Sequence, residues 1–196
     1  VATNIEESSS QVEQRYIDLL TEVKKHVSIP VTMKLGSQFS SVGHFVRCLE
    51  AAGADGVSLF NRFYQPDIAL FTREVMPMLT LSSSYESLLR IHWVATLYGK
   101  VKLSMAVTGG IHSGEDALKA LMAGADVTHL CSVLLREGPQ MLGLILREMQ
   151  HWLQENEYEG VSQLKGSVSR ECAIDPSAYD RANYVEVMQT HRAATG

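Results

Sequence analysis

The sequence predicts an α/β fold, the C-terminal half of a (β/α)8 barrel, from three observations. Apolar runs of strand length alternate with helical periodicities, the order that parallel βα units produce. Two near-identical stretches, Ala52-Gly53-Ala54-Asp55 and Ala123-Gly124-Ala125-Asp126, each close a helix before a strand and lie two units apart. Only four such strands are visible, and a four-stranded parallel piece has two open edges unless more sheet covers them. A closed barrel needs eight strands and typically ~250 residues, against 196 here. Residues 1–168 are read as the half-barrel and residues 169–196 as a C-terminal tail.

Each element follows from its residues. Residues 1–10 read as loop, and Ser8, Ser9 or Ser10 is placed to cap the helix that begins near Gln11. Val12, Tyr16, Leu19, Leu20, Val23 and Val27 recur at helical spacing, and Pro30 ends the run. Val31 to Leu35 is a β-prone run carrying Lys34 near its end. A helix over Val42–Ala52 stops at Gly53, where glycine fits the left-handed position past a helix end. Gly56–Phe60 is the next strand. An excursion follows, with short strands expected at Asp67–Leu70 and Met78–Leu81. Helix is expected from Tyr85 to Tyr98, strand from Lys102 to Val107, helix from Ser113 to Met122, and strand from Val127 to Cys131. A long helix over Pro139–Asn156 is expected to bury Leu142, Ile145, Leu146, Met149, Trp152 and Leu153. The tail is polar, with one helix expected around Ser177–Gln189.

Composition narrows the function. The chain is 45% apolar and 20% charged, as in a globular domain with a sizeable core. Seventeen basic residues against 22 acidic give a net charge of −5, which is not the footprint of a nucleic-acid binder. No stretch approaches the ~18–20 uncharged apolar residues of a membrane span. The three cysteines, Cys48, Cys131 and Cys172, form no C-x-x-C pair, so neither a disulfide framework nor a metal site is expected. A reducing cytoplasm is the expected compartment. The polar opening Val1-Ala2-Thr3-Asn4, with no initiator methionine, suggests that sequence upstream is missing.

The strongest chemical signal is Thr108-Gly109-Gly110-Ile111-His112-Ser113-Gly114-Glu115-Asp116. A strand ends, two glycines let a ligand approach the backbone, and a helix starts with capping-box spacing between Ser113 and Asp116. The free N–H groups and dipole of such a helix suit a phosphate. Ser132 follows the next strand, and phosphate sites after the last two strands recur in these barrels. The bland alternative is a tight βα turn. Lys34, at the ligand end of its strand, suits an anion, a cofactor or a Schiff base, or else simply reaches solvent. Asn61 suits a polar planar ligand and Arg62 a carboxylate, unless both merely form a loop. Ser82-Ser83-Ser84 reads as a helix cap, Trp93 and Trp152 as core, and Cys131 as buried or touching backbone.

Together these motifs resemble the dihydroorotate dehydrogenase family of FMN-binding barrels, over about Gln11 to Val168. The resemblance is carried by Val31-Thr32-Met33-Lys34-Leu35, the strand end at Asn61, Thr108-Gly109-Gly110-Ile111 with Ser113-Gly114-Glu115-Asp116-Ala117, and Glu137-Gly138-Pro139. Leu59-Phe60-Asn61-Arg62-Phe63-Tyr64-Gln65-Pro66-Asp67 points to the bacterial dihydroorotate dehydrogenase-like subgroup. The resemblance implies oxidation of dihydroorotate to orotate in pyrimidine biosynthesis with FMN as cofactor. Lys34 would lie beside the pyrimidine end of the flavin, where an ammonium stabilises the charge left by hydride transfer. Gly109, Gly110, Cys131 and Ser132 would hold the FMN phosphate, and Asn61 and Arg62 the substrate. Three departures bear on the pocket. Asn61-Arg62 stands where the family commonly has Asn-Ser, Ser82-Ser83-Ser84 where it has Gly-Gly, and Cys131-Ser132 where it has Gly-Thr. The family's catalytic cysteine would fall immediately before Val1. The expected partners are a small-molecule substrate and either a second copy or the missing half-barrel. Two other readings stand beside this one: a phosphate-binding aldolase or synthase with Lys34 as Schiff-base lysine, separable by borohydride trapping, and a non-catalytic flavin-binding barrel.

Overall fold

A computed structural model describes residues 3–180 and Tyr184. Helix α1 spans Ser9–His26. Of the three candidate serines, Ser8 caps it, accepting from the Gln11 N–H while the Gln11 side chain accepts from the Ser8 N–H. Strand β1 (Thr32–Leu35), α2 (Val42–Ala51) and β2 (Gly56–Leu59) follow. Next come a hairpin of β3 (Asp67–Ala69) and β4 (Glu74–Met76), then α3 (Ser87–Leu97) and β5 (Ser104–Thr108). Helix α4 (Gly114–Ala123), β6 (Val127–His129), α5 (Ser132–Glu137), α6 (Met141–Glu155) and α7 (Val161–Leu164) complete the order.

The main sheet has the order β1-β2-β5-β6 and is parallel throughout. With helices between its strands it is the half-barrel that the alternation predicts. Side chains alternate across a strand, so register sorts them into two faces. Met33, Leu35, Val57, Leu59, Met105 and Val107 share the face that packs on the helices, against Phe45, Val46, Leu49, Val94, Ala117 and Ala120. Lys34, Ser58, Ala106 and Val127 lie side by side on the other face, the barrel interior.

The two repeats do more than end helices. Gly53 and Gly124 take φ of 94° and 121°, the left-handed backbone expected of them. The aspartate that follows each then clamps the preceding strand of the sheet. Asp55 donates its N–H to Val31 O at 2.9 Å and accepts from the Val31 N–H at 2.7 Å. Asp126 does the same with Met105, at 2.7 and 2.8 Å. One short sequence thus sets the register of two neighbouring strand pairs.

Several expectations are corrected. The second hairpin strand is at Glu74–Met76 and not at Met78–Leu81, because the chain reverses tightly, with Arg73 at φ 60°. Leu19 is 60% exposed, with Val23 and Val27 also outside; α1 packs through Tyr16, Ile17 and Leu20. Tyr16 meets Phe39 and Phe45 edge-on at 5.5 and 5.8 Å, so the helix is seated by one narrow stripe. In α6, Leu142 and Leu146 are exposed while Ile145 is buried and Met149, Trp152 and Leu153 pack partly. Trp93 and Trp152 are core contacts, as expected, Trp152 stacking on Tyr158. The short helix α5 was not anticipated. Gly138, at φ 92°, separates it from α6, so Val133-Leu134-Leu135 belongs to a helix of its own. Most of the helix expected at 177–189 lies outside the described residues; Pro176–Tyr179 forms one 3-10 turn.

Candidate functional site

Parallel strands all deliver their C-terminal ends to one side of the sheet. Here that side carries Lys34 from β1, Asn61 and Arg62 after β2, Gly109 and Gly110 after β5, and Cys131 and Ser132 after β6. All seven line one cleft of about 230 Å³, together with Ser82, Glu86, Arg90 and Thr108. A second cavity of about 260 Å³ adjoins it, sharing Lys34, Asn61 and Arg62 and adding Tyr16, Phe39 and Glu13.

Lys34 stands on the interior face, and no hydrogen bond or ion pair from the described residues occupies it. Asn61 ties the two strand ends together, its N–H donating to Leu35 O at 2.5 Å, while its side chain is exposed. Arg62 already has a carboxylate. Its Nη1 donates to both oxygens of Glu86 at 2.9 and 3.1 Å.

The start of α4 is capped as its spacing predicts, but the cap leaves little room for an anion. Asp116 accepts from the N–H groups of His112 and Ser113 at 3.0 and 3.1 Å and from the Ser84 hydroxyl at 2.8 Å. Gly114 N–H donates to Glu148 at 2.6 Å, and Asp116 N–H to Ser113 Oγ. Two carboxylates therefore already use the dipole and donors that the sequence suggested for a phosphate. Gly110 also has a packing reason to be glycine. A Cβ there would lie 2.2 Å from Ser87 N, at φ +86°.

Ser82, Glu86, Arg90 and Thr108, none of them among the site residues expected from the sequence, also line the cleft. Ser82 is buried; its N–H donates to Ser132 Oγ at 3.0 Å, and its Oγ lies 3.1 Å from His112 Nε2 and 3.4 Å from the Gly110 N–H. Its carbonyl accepts from Arg136. The partners of Ser82 lie 28 to 54 residues away, so local spacing shows only a cap. Its place opposite the family's paired glycines was the one available signal. Arg90 is 7% exposed, its Nε donating to Thr108 O at 3.1 Å and its Nη1 to Glu86 O at 2.7 Å. Burial pushes its guanidinium below the ordinary value; Glu86 opposes this and Arg62 adds to it. Cys131, expected to be buried or to touch backbone, is exposed, with its carbonyl accepting from the Leu135 N–H as α5 begins. Among the residues lining this cleft, three cations, Lys34, Arg62 and Arg90, thus stand with one carboxylate, Glu86, while Glu13 lines the adjoining cavity.

Comparison with known proteins bears on this geometry. A family model described as dihydroorotate dehydrogenase matches residues 4–153. A dihydroorotate dehydrogenase B (NAD(+)) catalytic subunit from Endomicrobium trichonymphae is 28% identical over 158 residues, covering 78% of this chain and 51% of that protein. The protein of the same name from Geobacter sp. (strain M21) is 33% identical over 152 residues, covering 74% and 48%. The chain spans about half the length of the curated relatives it matches. The matched region holds every strand of the sheet and every predicted residue of the cleft, and on that match the chain belongs to the dihydroorotate dehydrogenase family.

Proposed function

We propose that the intact protein is an FMN-dependent oxidoreductase of the dihydroorotate dehydrogenase type, oxidising dihydroorotate to orotate in pyrimidine biosynthesis. In this reading the residues of this chain that gather at the sheet's C-terminal end hold the cofactor. The observation that supports it is the gathering of Lys34, Asn61, Arg62, Gly109, Gly110, Cys131 and Ser132 in one cleft of a family member. The donor set fits an anionic, polar planar group. The cleft carries a cation excess, and on the same sheet face as Lys34 the buried Ser58 Oγ has no partner among the described residues.

FMN, when bound, supplies the hydride acceptor. Gly109, Gly110, Cys131 and Ser132 hold its phosphate in this reading, through the strand-end loops and not through the start of α4. Ser132 is pre-set for that. Its oxygen accepts from the Ser82 N–H, which leaves its own proton for a ligand. Lys34 contributes a positive charge, held on a strand, where transferred electrons collect. Asn61 and Arg62 bind the small-molecule substrate, whose carboxylate competes with Glu86 for the guanidinium. The relatives are named as catalytic subunits, which supports assembly with further chains, as copies or as the other half-barrel. No helix of the described residues is long and apolar enough to cross a membrane, and we place the enzyme in the cytoplasm. The test is a visible spectrum of the purified intact protein. Bands near ~375 and ~450 nm that bleach on anaerobic addition of dihydroorotate are expected. A colourless protein that traps a carbonyl substrate on Lys34 with borohydride would instead make it an aldolase.

A further inference from the structure

Arg90 carries a charge for which its structural contacts have no use. It ties the last turn before α3 to the end of β5, through Glu86 O and Thr108 O. Those two bonds use Nε and Nη1 and require donors, not a charge. Nη2 has no acceptor among the described residues, and it stands 3.2 Å from the place a Cβ would occupy on Gly109. The nearest carboxylate, Glu86, is turned to Arg62. A cation 93% removed from solvent with an incomplete partner set is costly to bury unless a charge completes it.

We propose that Arg90 is an anion-anchoring residue, its Nη2 donating to the phosphate of a phosphate monoester bound in the cleft. A dianion matches the surplus of Lys34, Arg62 and Arg90 over Glu86 among the residues that line the cleft. Arg90 Nη2 flanks Gly109, and Ser132, which lines the same cleft, has a hydroxyl proton with no acceptor among the described residues. The arrangement selects a phosphorylated ligand over its dephosphorylated counterpart. The proposal rests on the flavin reading only for the ligand's name, not for its phosphate.

The test compares FMN, riboflavin and inorganic phosphate on the intact protein, its Arg90→Gln variant and its Arg90→Lys variant. Arg90→Gln should weaken FMN by ~10-fold or more, the scale of a lost hydrogen bond to a charged group. Riboflavin binding should stay within ~2-fold, since riboflavin lacks the phosphate. Arg90→Lys, which keeps the charge, should retain part of the preference for FMN. A second measurement needs no variant: phosphate added to the parent should shift the guanidinium nitrogen resonances of Arg90. Equal losses for FMN and riboflavin, or an Arg90 resonance that phosphate does not move, would overturn the proposal and leave the flavin reading standing. If neither flavin binds but phosphate still moves Arg90, the flavin reading falls and the anion site stands.

Discussion

Lys34 and Gly110 show how differently two residues of one cleft come to be required. Lys34 has no partner among the described residues, so its value lies in the charge it brings to a ligand. Lys34→Ala in the intact enzyme should retain some FMN yet slow flavin reduction by ~10²-fold, the scale of losing one preorganised charge. Stopped-flow absorbance reads this directly, and an unchanged rate would remove Lys34 from the chemistry. Gly110 is required by the protein itself, since Ser87 N lies 2.2 Å from any Cβ placed there. Gly110→Ala should therefore lower stability by roughly 1–3 kcal/mol with no ligand present. Ligand-free thermal denaturation measures it. The same result would make this glycine a poor probe of phosphate binding, which Ser132 and Arg90 report more cleanly.

At the scale of elements, the helix ends and strand starts carry the argument. Asp116 collects three donors at the head of α4 and is itself buried. Ser113→Ala should cost about 1 kcal/mol, the usual worth of a cap. Asp116→Ala should cost at least ~2 kcal/mol, because several donors lose their acceptor. Chemical denaturation of the two variants gives the comparison. Asp55 clamps the start of β1, and its carboxyl lies below the usual carboxylate range because Lys24 and then the Val31 N–H donate to it. A carboxyl whose pKa is depressed on folding adds stability above its unfolded value and loses it as pH falls through the folded one. Asp55→Asn should thus melt below the parent at neutral pH, with the gap closing in acid below about pH 4. Melting curves from neutral pH downward test the sign. A gap that widened in acid would mean that the clamp does not depend on ionised Asp55.

Among the described residues, the main sheet has two free edges. β1 and β6 each pair there on one side only, and Val127 on the interior face is exposed. Open parallel edges invite pairing with another chain. The 196-residue chain, purified by itself, should self-associate or pair with a half-barrel supplied separately. Size-exclusion chromatography with light scattering decides between these states. A cooperative monomer holding stoichiometric FMN would show that these residues form a complete domain.

The amino-acid order alone determined the parallel βα architecture, because period and punctuation are local properties: apolar runs of four or five, helical stripes, and glycine at Gly53 and Gly124. It also determined which residues stand at the ligand end of the sheet, since parallel strands send all their C-termini one way. Lys34, Asn61 and the double glycine were legible for that reason. What it left open was set by distant partners. Ser82 became part of the cleft through Ser132, His112 and Gly110, and Arg90 through the end of β5. The α4 start lost its place as the phosphate cradle because Glu148, from a helix 34 residues on, took the Gly114 N–H. Leu19 and Leu146 read as core by periodicity and lie outside, because a stripe is buried only where a neighbour covers it. Hydrogen bonds and cover of this kind connect residues far apart in the chain, and only the folded arrangement decides them.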